Sequence, residues 1–127
     1  MRLFVVRHAE AAPGEPDELR PLTDAGRASA RALGDRLGEL GVDAVVTSPL
    51  LRARETGEAI ARGAGVTAEA DDRLAPGATA GDVRAAATGR GESVVAVGHQ
   101  PDCSEIVLEL TGRTVPFAPG AVVEVEL

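Results

Sequence analysis

Short β-branched runs alternate along this chain with longer stretches of helical periodicity. That alternation restricts the chain to an α/β fold in which helices pack on a mostly parallel sheet. The first strand is expected at about Arg2 to Val6, followed by a loop rich in Pro, Gly and acidic residues from Ala11 to Pro21. Thr23 is placed to cap a helix whose apolar positions Leu33, Leu37 and Leu40 share one face, and Gly41 to end it. Val42 to Val46 reads as a second strand. Next, Ser48 as cap and Pro49 as first helical residue predict a helix to about Arg62, closed by Gly63 and Gly65. A short third strand near Val66 to Ala70, a turn-rich stretch from Asp71 to Gly81 and a small Ala-rich helix precede a strong strand at Ser93 to Val97. A helix from Pro101 to Leu110, stopped near Gly112, and a strand at Val122 to Val125 complete the pattern. We expect one domain over residues 1–127, because the length allows a real core and leaves no room for a second of ordinary size.

Three of these strands exit into residues capable of chemistry. Arg7-His8 follows the first; Thr47-Ser48, with Arg52 shortly after, follows the second; His99-Gln100 follows the fourth. His8 and His99 are the chain's 2 histidines, the side chains whose ordinary pKa lies nearest neutrality. In an open parallel sheet the carboxyl ends of the strands line one edge, where ligands bind at a reversal of strand order. If the three strands are parallel neighbours, both histidines and two arginines converge there. Helix starts near Pro49 and Pro101 would add N–H groups and positive partial charge, and everything in such a crevice favours an anion.

Charge supports a local cationic pocket and opposes a broad one. The chain carries a net charge of -7 and all 13 of its basic residues are Arg, so a nucleic-acid surface is not expected. Arginine does offer planar, bidentate recognition of phosphate. No run approaches the roughly 18 apolar residues of a membrane span, and the chain begins directly with a strand, so we expect a soluble, unprocessed protein without a membrane partner. The lone Cys103, flanked by Asp102 and Glu105, is expected to be an inert, structural thiol, which fits a reducing cytoplasm.

Each candidate also has a plain structural reading. A histidine at a strand end can simply cap a loop, and Arg7 can pair with one of the many acids. Arg52 and Arg54 are two apart on a helix, so at most one faces the crevice; Arg52 is the candidate, whereas Arg54, with Glu58 four residues on, belongs outside. Arg20 is equally well read as a loop arginine or as a further pocket cation.

Four segments resemble, in order, the motifs of the histidine phosphatase superfamily: Arg7-His8-Ala9-Glu10, Leu22-Thr23-Asp24-Ala25-Gly26, Ser48-Pro49-Leu50-Leu51-Arg52-Ala53-Arg54-Glu55-Thr56 and Gly98-His99-Gln100-Pro101. The short length, the wording Arg20-Pro21-Leu22-Thr23 and the lack of a large inserted lid are most similar to the small SixA-type phosphohistidine phosphatases. The resemblance implies a three-layer α/β/α, phosphoglycerate mutase-like sandwich. It also implies His8 as the nucleophile forming a phosphohistidine intermediate, with Arg7, Arg52 and His99 gripping the phosphoryl oxygens. Arg20 would be an additional phosphate ligand. No metal and no cofactor are implied. On this reading His99 faces the phosphate protonated, and Ala9 replaces the usual Gly of the motif, which is tolerable at negative φ.

Members that hydrolyse phosphomonoesters present a Glu or Asp general acid after the third strand, but Arg73-Leu74-Ala75-Pro76-Gly77 offers none there. Asp71 and Asp72 come too early; Glu10 and Asp17 are alternative acids on the first loop, each also readable as a solvated loop charge. A substrate whose leaving group needs less help is then favoured, and phosphohistidine on a protein is such a substrate. The alternatives are a small-molecule phosphomonoesterase acting on a small phosphate ester, and a phosphate-binding module without catalysis.

Overall fold

A computed structural model describes residues 1–127. The strands are β1 (Arg2–Arg7), β2 (Ala44–Thr47), β3 (Ala68–Ala70), β4 (Ser93–Gly98) and β5 (Val122–Glu126), and the helices α1 (Asp24–Leu40), α2 (Leu51–Ala64), α3 (Ala80–Ala87) and α4 (Asp102–Thr111). They form one 5-stranded sheet in the order β3-β2-β4-β1-β5, parallel except for β5, which runs antiparallel to β1. This is the expected α/β sandwich, and its layers follow from the period of two along the strands. Leu3 and Val5 of β1, with Val94 and Ala96 of β4, pack against Val83 of α3 and Ile106 and Val107 of α4. Phe4 and Val6, with Val95 and Val97, turn the other way onto Leu33 and Leu37 of α1 and Ile60 of α2. The core is aliphatic and lies on both faces of the sheet. No helix is long and apolar enough to cross a membrane.

The local signals in the sequence hold at α1, where the Thr23 hydroxyl accepts the Gly26 N–H at 3.0 Å and Gly41 ends the helix at φ 80. Gly65 closes α2 in the left-handed conformation, as expected. Gly63 plays another part: it stays inside α2, where a Cβ would strike the backbone of Gly34 in α1. At that crossing the two helix backbones meet directly.

Several expected boundaries shift. α2 starts at Leu51 instead of Pro49, because the Ser48 hydroxyl accepts the Leu50 N–H at 3.2 Å and holds residues 49 and 50 in a turn outside the helix. α4 starts at Asp102, with Pro101 as its cap. β3 is reduced to three residues because the Val66 N–H bonds back to the Ala61 carbonyl of α2 at 2.9 Å. β1 and β4 each run one residue further than expected, to the pair Arg7 and Gly98.

The topology aligns the ends that matter. β4 lies between β1 and β2, parallel to both, with Arg7 opposite Gly98 and Thr47 opposite Val97. The pairing continues past the strands through His8 N–H to Gly98 O at 3.0 Å and Ser48 N–H to Val97 O at 2.9 Å. From β1 the chain departs into α1 on one face, and from β4 into α4 on the other, so a crevice opens between them at the carboxyl edge.

Candidate active site

His8 stands at the end of β1 with its ring orientation fixed by its own backbone. Nδ1 lies 2.7 Å from the Ala9 carbonyl, which can only accept, so Nδ1 carries the proton and Nε2 keeps its lone pair. The Ala9 backbone is held in turn by Thr56 of α2: the Ala9 N–H donates to Thr56 Oγ1 at 3.0 Å, and that hydroxyl donates to the Arg52 carbonyl at 2.8 Å. Ala9 and Thr56 are both fully buried and no non-glycine residue has positive φ, so alanine fits where the motif usually has glycine. Burial is the main force lowering the His8 pKa, with Arg52, Arg7 and Arg20 adding to it and the Ala9 carbonyl opposing it. The unprotonated form is favoured.

His99 lies beside it across the strand boundary, with ring centroids 5.3 Å apart. Its Nε2 is 2.8 Å from Ser48 Oγ and its Nδ1 is buried without a partner. Burial first, then the neighbouring His8 and Arg52, pushes its pKa down to about 4. Burial and three cationic or protonatable neighbours thus oppose the charge that His99 was expected to carry when facing phosphate.

Arg7 has no carboxylate partner. Its Nη1 donates to the Phe117 carbonyl at 2.8 Å and its Nε is buried without a partner, so the salt-bridge reading fails. The segment before β5 supports both residues of the pair, since the Gly120 N–H is shared between the Arg7 and His8 carbonyls at 3.1 Å each. Gly120 needs its φ of 79, and a side chain there would meet Ser29 Oγ. Arg7 Nε and His99 Nδ1 are the 2 buried side-chain polar atoms without partners, and both belong to this crevice. A buried donor without a partner is costly and calls for an explanation.

The other two candidate arginines are occupied. Arg52, only 8% exposed, sits at the second position of α2, and its Nη1 and Nη2 reach the Asp17 carbonyl at 2.9 Å and Asp17 Oδ2 at 3.2 Å. Arg20 holds the other carboxylate oxygen, Oδ1, at 3.1 Å and the Ala12 carbonyl at 2.8 Å. Hydrogen bonds from Arg20 and then Arg52 hold the Asp17 carboxyl below its usual range. Asp17 is therefore more than the solvated loop charge expected: it is an exposed carboxylate spanning two cations at the rim.

The remaining expected contributors divide. Arg54 is exposed, as read from the sequence. The helix starts offer less than expected, because the Leu50 N–H is taken by Ser48, the Cys103 N–H by the His99 carbonyl and the Ser104 N–H by the Gln100 side chain. Glu10 accepts the Thr23 hydroxyl at 2.7 Å. Asp71 is held at about 2, chiefly by Arg73, with Arg90 also nearby, and stays ionised. Cys103 is buried against the Val6 carbonyl and pushed up to about 12 by burial and by Asp102, an inert thiol as expected. Thr56 appeared in the sequence only inside a quoted motif, and the Phe117 carbonyl carried no signal there at all, because any residue has one.

The model of the histidine phosphatase superfamily (branch 1) matches residues 3–79 of the chain. The protein histidine phosphatase SixA, in a structure complexed with tungstate, is 31% identical and superposes with a TM-score of 0.88 over 100% of this chain and 88% of its own. An uncharacterized protein of Picosynechococcus is 37% identical, over 83% of this chain and 70% of its length. The mitochondrial serine/threonine-protein phosphatase Pgam5 of Drosophila mojavensis is 46% identical over 61 residues, which are 46% of this chain. This chain spans only about a fifth, 21%, of that relative's length.

Proposed function

Because the chain belongs to the histidine phosphatase superfamily, we propose that it is a phosphatase in which His8 attacks phosphorus and protein-bound phosphohistidine is the substrate. The observation that carries this reading is the pair of buried, unpartnered nitrogens, Arg7 Nε and His99 Nδ1, flanking a histidine whose free Nε2 is a lone pair. An oxyanion would answer both nitrogens at once, and a phosphoryl group would also present an electrophile to Nε2. SixA, the relative complexed with tungstate, supports the same assignment, since tungstate is a tetrahedral oxyanion like phosphate.

In the first step a bond forms from His8 Nε2 to phosphorus and the bond from phosphorus to the leaving group breaks, its electron pair departing with the leaving group. In the second, water adds to phosphorus, the bond to Nε2 breaks and one water proton is released. Splitting the displacement in this way replaces one hard step by two easier ones. Arg7 and His99 stabilise the charge spread over the equatorial oxygens, with Arg52 and Arg20 joining once Asp17 yields them.

The choice of substrate rests on the acids. Glu10 holds the cap of α1, Asp17 spans two arginines and Asp71 is pinned by Arg73. None is a free carboxylic acid for an alkoxide. An imidazole leaving group needs less such help than an alkoxide. The test is a panel of phosphohistidine peptide, phosphosugars, nucleotides and pyrophosphate, run with wild type and His8→Ala. Phosphohistidine turned over fastest, with an acid-labile phosphoenzyme missing from the variant, is expected. Faster hydrolysis of sugar phosphates would overturn the substrate, and phosphate binding without any turnover would replace the enzyme by a binding module.

A further inference from the structure

Ser48 is enclosed by the site and has no task in the reaction just described. It is 0% exposed, at the end of β2, with its N–H on the Val97 carbonyl and its carbonyl receiving the Thr47 hydroxyl at 2.9 Å. Only the side chain is left to vary. A serine hydroxyl has one proton to donate and two lone pairs to accept with. The Leu50 N–H uses one lone pair, and the one acceptor within reach of the Ser48 proton is His99 Nε2 at 2.8 Å.

Two arrangements are open to a neutral His99. With the proton on Nε2, that N–H donates to Ser48 Oγ. The buried serine proton is then left without an acceptor, and Nδ1 turns a lone pair toward an anion. With the proton on Nδ1, the serine donates to Nε2 and the single unmet group is the Nδ1 N–H. Leaving a buried polar group unmet is costly, so the second arrangement wins by one such group. We propose that Ser48 is a positioning residue that fixes His99 in the Nδ1–H tautomer, so that an uncharged imidazole presents a hydrogen-bond donor to the bound phosphoryl group.

This inference rests on the phosphoryl reading for its purpose but not for its geometry, and the two are tested separately. A neutral His99 can grip an oxyanion without taking up a proton beside Arg7 and Arg52. The burial that pushes its pKa down to about 4 then stops being an obstacle to phosphate binding.

The imidazole nitrogens of the wild-type protein, labelled with 15N and free of ligand, report the tautomer directly at neutral pH. The expected spectrum has a protonated, pyrrole-type Nδ1 and an unprotonated, pyridine-type Nε2 for His99. His8 should give the same pattern, held by the Ala9 carbonyl, and His99→Gln assigns the signals. In Ser48→Ala the His99 signals should move toward the Nε2–H form, and tungstate binding should weaken roughly two- to tenfold, the worth of one hydrogen bond. A wild-type His99 protonated on Nε2, or signals that Ser48→Ala leaves unmoved, overturns the proposal even if the protein is an active phosphatase. The expected tautomer in a protein that hydrolyses nothing would leave the proposal standing and remove the phosphatase reading instead.

Discussion

The ends of β1 and β4 are adjacent, parallel and each finished by a histidine, yet the two rings are set up in opposite ways. At β1 the partner is a carbonyl, which can only accept, so His8 turns a lone pair to the crevice. At β4 the partner is a hydroxyl whose proton has no other acceptor within reach, so it donates, and His99 turns an N–H to the crevice. Burial lowers the pKa of both. Side-chain identity therefore says little about role here; the partner on the far nitrogen decides which ring can attack and which can hold.

The comparison breaks first under removal of each ring. His8→Ala should cost roughly a thousandfold or more in turnover and abolish the phosphoenzyme, because no other group supplies the attacking lone pair. His99→Ala should cost roughly a hundredfold and still form phosphoenzyme, as expected for one lost donor to the developing charge. Rapid-quench trapping of acid-labile phosphate separates the two. Equal loss of phosphoenzyme in both variants would erase the division of roles.

Acid titration sharpens the comparison through stability. The folded-state pKa of His99, about 4, is below its ordinary 6.5, so between those values the unfolded chain holds a proton that the folded one refuses. Stability from this source is complete above pH 6.5 and is lost as pH falls toward 4, on the order of 3 kcal/mol in total. His8 contributes in the same direction. Denaturant unfolding at stepped pH should therefore show a decline over this window that His99→Gln flattens more than His8→Gln. A decline that persists unchanged in His99→Gln would place the linkage elsewhere.

How much of this was legible in the sequence depends on which level carried the information. Strand ends were legible because β-branched runs stop at Arg7 and Gly98, and the crevice followed from parallel topology. Helix starts were misplaced by two residues at α2 because the Ser48 cap serves Leu50, a turn that Pro49 resembles locally but does not specify. His99 was expected charged because it would face a phosphoryl group; the burial that most strongly opposes that charge is a property of the packed fold and not of the residues beside it in sequence. Roles assigned by backbone groups, such as the Phe117 and Ala9 carbonyls, leave no mark on composition.

Thr56 tests the β1 end more gently. Thr56→Val keeps the shape but leaves the buried Ala9 N–H without its acceptor, so stability should fall by about 1–3 kcal/mol. The Ala9 carbonyl that orients His8 belongs to the same loosened segment, so phosphoenzyme formation should slow while tungstate affinity, carried by Arg7 and His99, changes less. Chemical denaturation and pre-steady-state kinetics together check this. Affinity falling in step with the rate would show that Thr56 supports the whole crevice and not the β1 end alone.

The smallest effect belongs to the rim, where the cationic groups again divide in two. Arg7 and His99 have buried nitrogens without partners, while Arg20 and Arg52 share the carboxylate of Asp17. An incoming oxyanion gains from the first pair at once, but from the second only by taking the place of a carboxylate that carries the same sign of charge. Asp17 is exposed and sits in a short turn, so Asp17→Asn should leave folding intact and remove that competition. Because exposed ion pairs are weak individually, tungstate should bind only roughly two- to fivefold more tightly to the variant, with the gain shrinking as salt is raised. Calorimetric titration at two ionic strengths reads both quantities. Weaker binding in the variant would mean that Asp17 braces the two arginines in their binding geometry, and the rim would then be as fully prepared for an oxyanion as the strand ends are.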